Sequence, residues 1–228
     1  MTRGPGPGRT KGLFAVWILG ALVALGPAAE GVVPRDNAPF PQRPFSHMSA
    51  LLEKTLFKVD VLTLDIRVDY QTATRLAAYI MAEGAEDASY SDDLADAVGR
   101  TVLTASNAWI RMEFLRSVSQ KQFLDGIKDN MKTALDAGLI DAEYYEDTLV
   151  KLPEWYDFLE DRRIQKGDAM VYHVHGDTLD STYHGTDGDV LLDMTRKNPK
   201  SRYGVLGSYF APKSDFRENL VRSLVKTK

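Results

Sequence analysis

Apolar residues alternate through Thr55–Arg67. Leu56, Leu62, Leu64 and Ile66 fall on one face of an extended segment, and Phe57, Val59 and Val61 on the other. A strand apolar on both faces is expected in the middle of a sheet, covered on both sides. The spacing becomes helical over Thr72–Glu83, with Gly84 as the stop. A short helix is predicted from Ser91 to Gly99, with Leu94 and Val98 on one side. Alternation returns in Asn107–Val118, where Ile110, Met112 and Phe114 share a face and Trp109, Arg111, Glu113 and Leu115 share the other. Ser119 and Gln122 have the spacing of a capping box. Phe123, Ile127, Met131 and Leu135 then form the stripe of a helix that Gly138 ends. Asp141 starts a further helix with Tyr144, Tyr145 and Leu149, and Pro153 is expected to break or restart it before Trp155, Phe158 and Leu159.

After Gly167 the period is two again. Ala169–His175 and Thr178–Tyr183 predict a hairpin about Gly176-Asp177, residues 186–189 give a second turn signal, and Val190–Met194 predicts a third strand. Ser214 is placed to cap a last helix carrying Phe216, Leu220 and Leu224. The chain has no internal repeat. Strands and helices joined by hairpin-like turns predict one α+β domain over residues 45–228, with a mainly antiparallel sheet. Residues 30–44, with Pro34, Pro39, Pro41 and Pro44, are expected to be an extended linker before it.

The first 29 residues have a different character. Met1–Gly12 carries Arg3, Arg9 and Lys11 and no acid, Leu13–Gly26 is an apolar stretch of 14 residues, and Pro27-Ala28-Ala29 follows. That is the pattern of a signal peptide covering 1–29, so a periplasmic or secreted location is expected. The apolar stretch is short against the ~20 residues of a membrane span, which makes an N-terminal anchor the less favoured alternative. Loss of the three basic residues moves the formal charge from −4 to −7 (25 Lys+Arg against 32 Asp+Glu). An acidic chain offers no electrostatic footprint for nucleic acid. Without cysteine there is no disulfide, thiol nucleophile or thiolate metal site.

Candidate chemistry is sparse. His173 and His175 fall on one face of a strand, a spacing that can place two imidazoles on one metal ion. His184 could come near across the hairpin, yet no third ligand is fixed by spacing. The pair is therefore read as part of a partly exposed polar face, and no metal or cofactor is assigned. The turn Thr186-Asp187-Gly188-Asp189 lacks the distal glutamate of a calcium loop. Asp60 and Asp65 stand in an otherwise apolar strand, where a carboxylate needs a partner or solvent. Lys58 is near Asp60, and the sharper alternative is a polar end to a ligand cleft.

Four segments in order, FKVDVLTLDI, EFLRSVSQKQF, Lys166-Gly167-Asp168 and GVLGSYFAPKSDFRENLVRSL, resemble the chalcone isomerase-like superfamily over Phe45–Leu224. The resemblance implies an open-faced β-sandwich, a sheet under a layer of helices. The family's isomerase site would put Met48 at its arginine, Asp60 at its strand threonine, and Arg111 at its lysine. Gln120 would stand at its tyrosine, Ile127 at its asparagine, and Ser208 at its threonine or serine. Methionine supplies no cation for a developing anion, and an aspartate nearby would repel it. The resemblance therefore implies a non-catalytic member, binding a fatty acid or other small apolar ligand in a cleft between sheet and helices. In that cleft Arg111 would hold a carboxylate, and Leu62 and Leu64 would line the tail, with Ser208 and Asp60 nearby. The alternatives are an isomerase- or lyase-type enzyme of altered chemistry using Asp60, Arg111 and Ser208, and a ligand-free scaffold with a membrane-associated envelope partner.

Overall fold

A computed structural model describes residues 46–53, 60–82 and 90–225. The signal peptide expected at 1–29, the linker at 30–44, and Phe57, Lys58 and Val59 lie outside the described residues. The strands are β1 (Ser46–Glu53), β2 (Asp60–Val68), β3 (Asn107–Phe114), β4 (Ala169–His175), β5 (Thr178–His184) and β6 (Val190–Lys197). They form one sheet in chain order, each antiparallel to the next. Helices α1 (Tyr70–Ala82) and α2 (Asp92–Leu103) come between β2 and β3, α3 (Gln120–Asp136) and α4 (Ala142–Trp155) between β3 and β4, and α5 (Lys200–Phe210) and α6 (Arg217–Val225) after β6. This is the α+β fold with an open antiparallel sheet that the pattern predicts.

One face of the sheet makes the core. Leu64, Ile66, Ile110, Met170, Leu179 and Tyr183 are buried there in one cluster with Leu76 of α1, Val98 of α2, Phe123 of α3, Leu206 of α5 and Leu220 of α6. Among the described residues, cover on the second face of β2 is confined to its start, where Val61 is buried. Leu62, Leu64, Ile66 and Val68 are buried, while Thr63, Asp65 and Arg67, one step out of phase, are half-buried. The capping box forms as predicted. Ser119 Oγ accepts from the Gln122 N–H at 3.2 Å, and Gln122 Oε1 accepts from the Ser119 N–H at 3.0 Å.

Four elements depart from the pattern. β1 was hidden in the segment read as the start of the domain. α2 runs through Gly99 to Leu103, because Gly99 is a contact rather than a stop: a Cβ there would lie 3.2 Å from Phe210 Cβ. α5 is a helix that the pattern did not mark: it packs Leu206, Tyr209 and Phe210 into the core, and its Gly204 lets the Tyr144 ring approach to 3.0 Å of where a Cβ would be. Pro153 stays inside the last turn of α4, which reaches Trp155. Packing of Leu152 and Tyr156 into the core holds the helix past the missing N–H.

The ends of the described chain meet. α6 packs beside β1, the edge strand, and Ser49 N–H donates to Ser223 Oγ at 2.9 Å.

Asp69 joins β2, α1 and β3. Its carboxylate accepts from the Thr72 N–H at 2.9 Å and the Asn107 N–H at 3.1 Å. Burial alone would raise this carboxyl, but the Thr72 and Asn107 N–H groups and the Thr72 hydroxyl outweigh it and hold the group below its ordinary 3.8. A lowered folded value stabilises above the unfolded value and is lost as pH falls through the folded one. Asp69→Ala is therefore expected to cost about 1–2 kcal/mol at pH 7 in urea unfolding, the scale of a helix N-cap. The gap from the parent should close below about pH 3.8; a gap constant down to pH 3 would show that the carboxylate charge plays no part.

Candidate ligand cavity

Between the inner face of the sheet and α3 lies a cavity of about 340 Å³. Leu62 of β2 and Met112 and Phe114 of β3 form its floor, Phe123, Gly126 and Ile127 of α3 form a wall, and Tyr209 and Phe216 close it. Sheet alternation sends residues 62, 112 and 114 inward together, and the capping box fixes where α3 begins. The volume falls in the ~300–1,000 Å³ range of small-molecule sites, and the lining is mainly apolar, as such sites are. Arg116, Gln122, Asp125, Asp129, Asn130 and Asp215 supply polar groups.

Arg116 is the cation on this cavity. It continues the phase of Met112 and Phe114 just past the end of β3. Its Nε is buried and has no hydrogen-bond partner among the described residues. An unmet buried donor costs about 1–3 kcal/mol, more when charged, so an anion here would be stabilised by it. The nearby Asp125 is held by Lys121 at 2.6 Å.

The residues expected in a cleft are dispersed. Leu62 lines the cavity, while Leu64, two residues on, is sealed in the core at 0 % exposure. Asp60 opens β2, and its side chain lies outside the described residues. Ser208 borders a smaller neighbouring cavity of about 50 Å³, and its hydroxyl donates to Val205 O at 2.7 Å, a helical back-bond. Arg111 is on the other face of the sheet. Its guanidinium lies 3.1 Å from Glu113, it pairs across the strands with Asp65 and Val171, and it is not on the cavity. The structure places Arg111 on the sheet face opposite this cavity, because one position out of phase in a strand is the opposite face. Met48 is a buried core residue of β1, and Gln120 donates to Tyr156 O at 3.0 Å from the first turn of α3. Arg111 and Ser208 lie on opposite sides of the sheet.

The smaller cavity shares Ile127, Asn130 and Tyr209 with the larger. It holds a buried pair, Tyr156 and Tyr172, with hydroxyls 3.0 Å apart. Burial pushes both hydroxyls up, and for Tyr172 the proximity of Tyr156 and Tyr209 adds to it. Both tyrosines are therefore neutral hydrogen-bonding groups rather than bases.

A second polar centre escaped the pattern. Asp168, at 0 % exposure, accepts from the Arg162 guanidinium at 3.1 Å, the Gln165 N–H at 2.8 Å, the Tyr183 hydroxyl at 2.8 Å and the Thr186 N–H at 2.9 Å. It ties together the approach to β4, the end of β5 and the β5–β6 turn. The Lys166-Gly167-Asp168 segment marks it in the sequence, but only the folded chain brings its donors together. Burial, then the bond to Asp168, raises the Tyr183 hydroxyl far above its ordinary value, so it stays a donor.

No protein-family model and no curated protein matches the chain. Among solved structures it is similar to a fatty-acid binding protein of Arabidopsis thaliana, at 11 % identity and a TM-score of 0.49, over 79 % of this chain and 84 % of that one. A likeness of this size carries no function across.

Proposed function

We propose that the protein binds a small apolar molecule with an anionic head, a fatty acid being the simplest, in the cavity between the sheet and α3. The observation that carries this is a buried guanidinium nitrogen, Arg116 Nε, with no hydrogen-bond partner among the described residues, on an otherwise mainly apolar chamber of about 340 Å³. A carboxylate would take the fork of the guanidinium, and the tail would replace water against Leu62, Phe114 and Phe123. The fold and the four-segment resemblance to chalcone isomerase-like proteins support the same reading. The N-terminal pattern supports a carrier working outside the cytoplasm.

The experiment is native mass spectrometry of protein recovered from the envelope of its own cells, followed by titration with a fluorescent fatty acid. A co-purifying apolar acid is expected. Arg116→Met should weaken binding about tenfold or more, since a charge-assisted bond is worth about 1.5–3 kcal/mol, while Arg111→Met should leave it unchanged. Equal binding by Arg116→Met with an intact fold would remove Arg116 from the site. No binding by the parent would leave the scaffold alternative, and Met1 retained on cytoplasmic protein would remove export.

A further inference from the structure

The outer face of the β4–β5 hairpin gathers a second set of groups, away from the cavity. His173 and His175 project from β4 on the side opposite Tyr172, and Asp180 stands across from His173 on β5. Asp180 Oδ2 lies 2.8 Å from His175 Nε2 and 3.7 Å from His173 Nδ1, and one donor atom from each of the three residues lies within 4.8 Å of the other two. Bonds of ~2.0–2.2 Å to a tetrahedral ion place its ligands roughly 3.3 Å apart. The two measured separations fall on either side of that value, so small side-chain rotations suffice.

The surroundings orient these groups. His173 Nε2 lies 3.3 Å from Asn107 Oδ1, and with Nε2 as the donor of that bond Nδ1 would present its lone pair. In that arrangement the lone pair faces Asp180 Oδ2 at 3.7 Å, so an ion between them would meet a donor atom on each side. The His173 ring is stacked flat on Trp109, with centroids 4.5 Å apart and an interplanar angle of 7°, and on its other neighbour, the His175 ring, at 4.5 Å. Thr195 Oγ1 donates to Asp180 Oδ1 at 2.7 Å, leaving Oδ2 for the imidazoles. Outer partners of this kind fix ligand orientation at metal sites. All three residues are part-exposed, so an ion can enter from solvent.

We propose that His173 Nδ1, His175 Nε2 and Asp180 Oδ2 bind one divalent transition-metal ion of the Zn²⁺ or Cu²⁺ class. Two imidazoles and a carboxylate suit these borderline ions and are a poor set for Ca²⁺ or Mg²⁺, which take oxygen ligands. Three protein donors leave at least one position on a four-coordinate ion for water. The spacing of the histidines offered a pair read as a polar face; the cross-strand register adds Asp180 beside it.

The test uses the full chain, stripped with chelator and dialysed, then titrated with Zn²⁺ in a calorimeter and with Cu²⁺ under electron paramagnetic resonance. One ion per chain is expected, with hyperfine structure from two nitrogens. His173→Gln and His175→Gln should each leave one nitrogen, and Asp180→Asn should weaken Zn²⁺ at least about tenfold, with circular dichroism unchanged. Asn107→Ala should weaken it by roughly the same factor, the usual effect of an outer partner. His184→Gln should change nothing. No stoichiometric binding by the parent, or a nitrogen count unaltered in both histidine variants, would overturn the assignment. The fatty-acid titration is indifferent to either result.

Discussion

Asp168→Ala is expected to lower the unfolding free energy by about 3–5 kcal/mol, the usual loss when one partner of a buried charged pair is removed. In a domain of this size that is a fall of roughly 10 °C in melting temperature. The substitution strands the Arg162 guanidinium, the Tyr183 hydroxyl and the Gln165 and Thr186 N–H groups at once. A surface ion pair would contribute a small fraction of that. The difference is geometry: Asp168 is wholly buried and both its oxygens are taken. Asp168→Asn keeps the shape but turns an NH₂ toward groups that are themselves donors, so most of the loss should remain. Urea unfolding at pH 7 measures both variants. A loss below about 1 kcal/mol for Asp168→Ala would mean that water replaces the carboxylate, and that the node is less dry than its burial indicates.

Gly126 gives the other large effect, with opposite signs in two measurements. It sits inside α3 on the cavity wall, and a Cβ there would meet nothing within 4 Å. Alanine should therefore stabilise the protein by about 0.5–1 kcal/mol, the helix cost of an interior glycine. Phenylalanine should keep the fold and fill the space a ligand tail would use. If it excludes four methylenes, at about 0.8 kcal/mol each, binding of a fluorescent fatty acid drops roughly a hundredfold. A folded Gly126→Phe that binds as the parent does would place any ligand outside this cavity. A destabilised Gly126→Ala would show that the glycine serves the helix packing instead.

The sequence carried the fold further than the site. Alternation and capping signals located β3 to β6 and α3 because local interactions alone fix them: the Ser119 box needs three residues, and the β4–β5 hairpin a two-residue turn. α5 was illegible because two of its buried positions, Gly204 and Gly207, carry no apolar side chain; the space above Gly204 is taken by Tyr144, 60 residues away. The cavity shows the same limit. The phase of Ile110, Met112 and Phe114 was readable, and extending it by one step would have picked out Arg116. The resemblance instead drew attention to Arg111, which that phase puts on the far face. Spacing fixed no third ligand beside His173 and His175 because nothing in a single strand records which residue of its neighbour stands opposite His173.

The bond from Ser49 to Ser223 sets an order of events during synthesis. It spans 174 residues, whereas each strand of the sheet lies beside its neighbour in the chain. A nascent chain leaving the ribosome can pair β2 through β6 in sequence as each strand emerges. The β1 edge gains its helical cover only after α6 has been translated, so the first of the described strands is the last to be closed over.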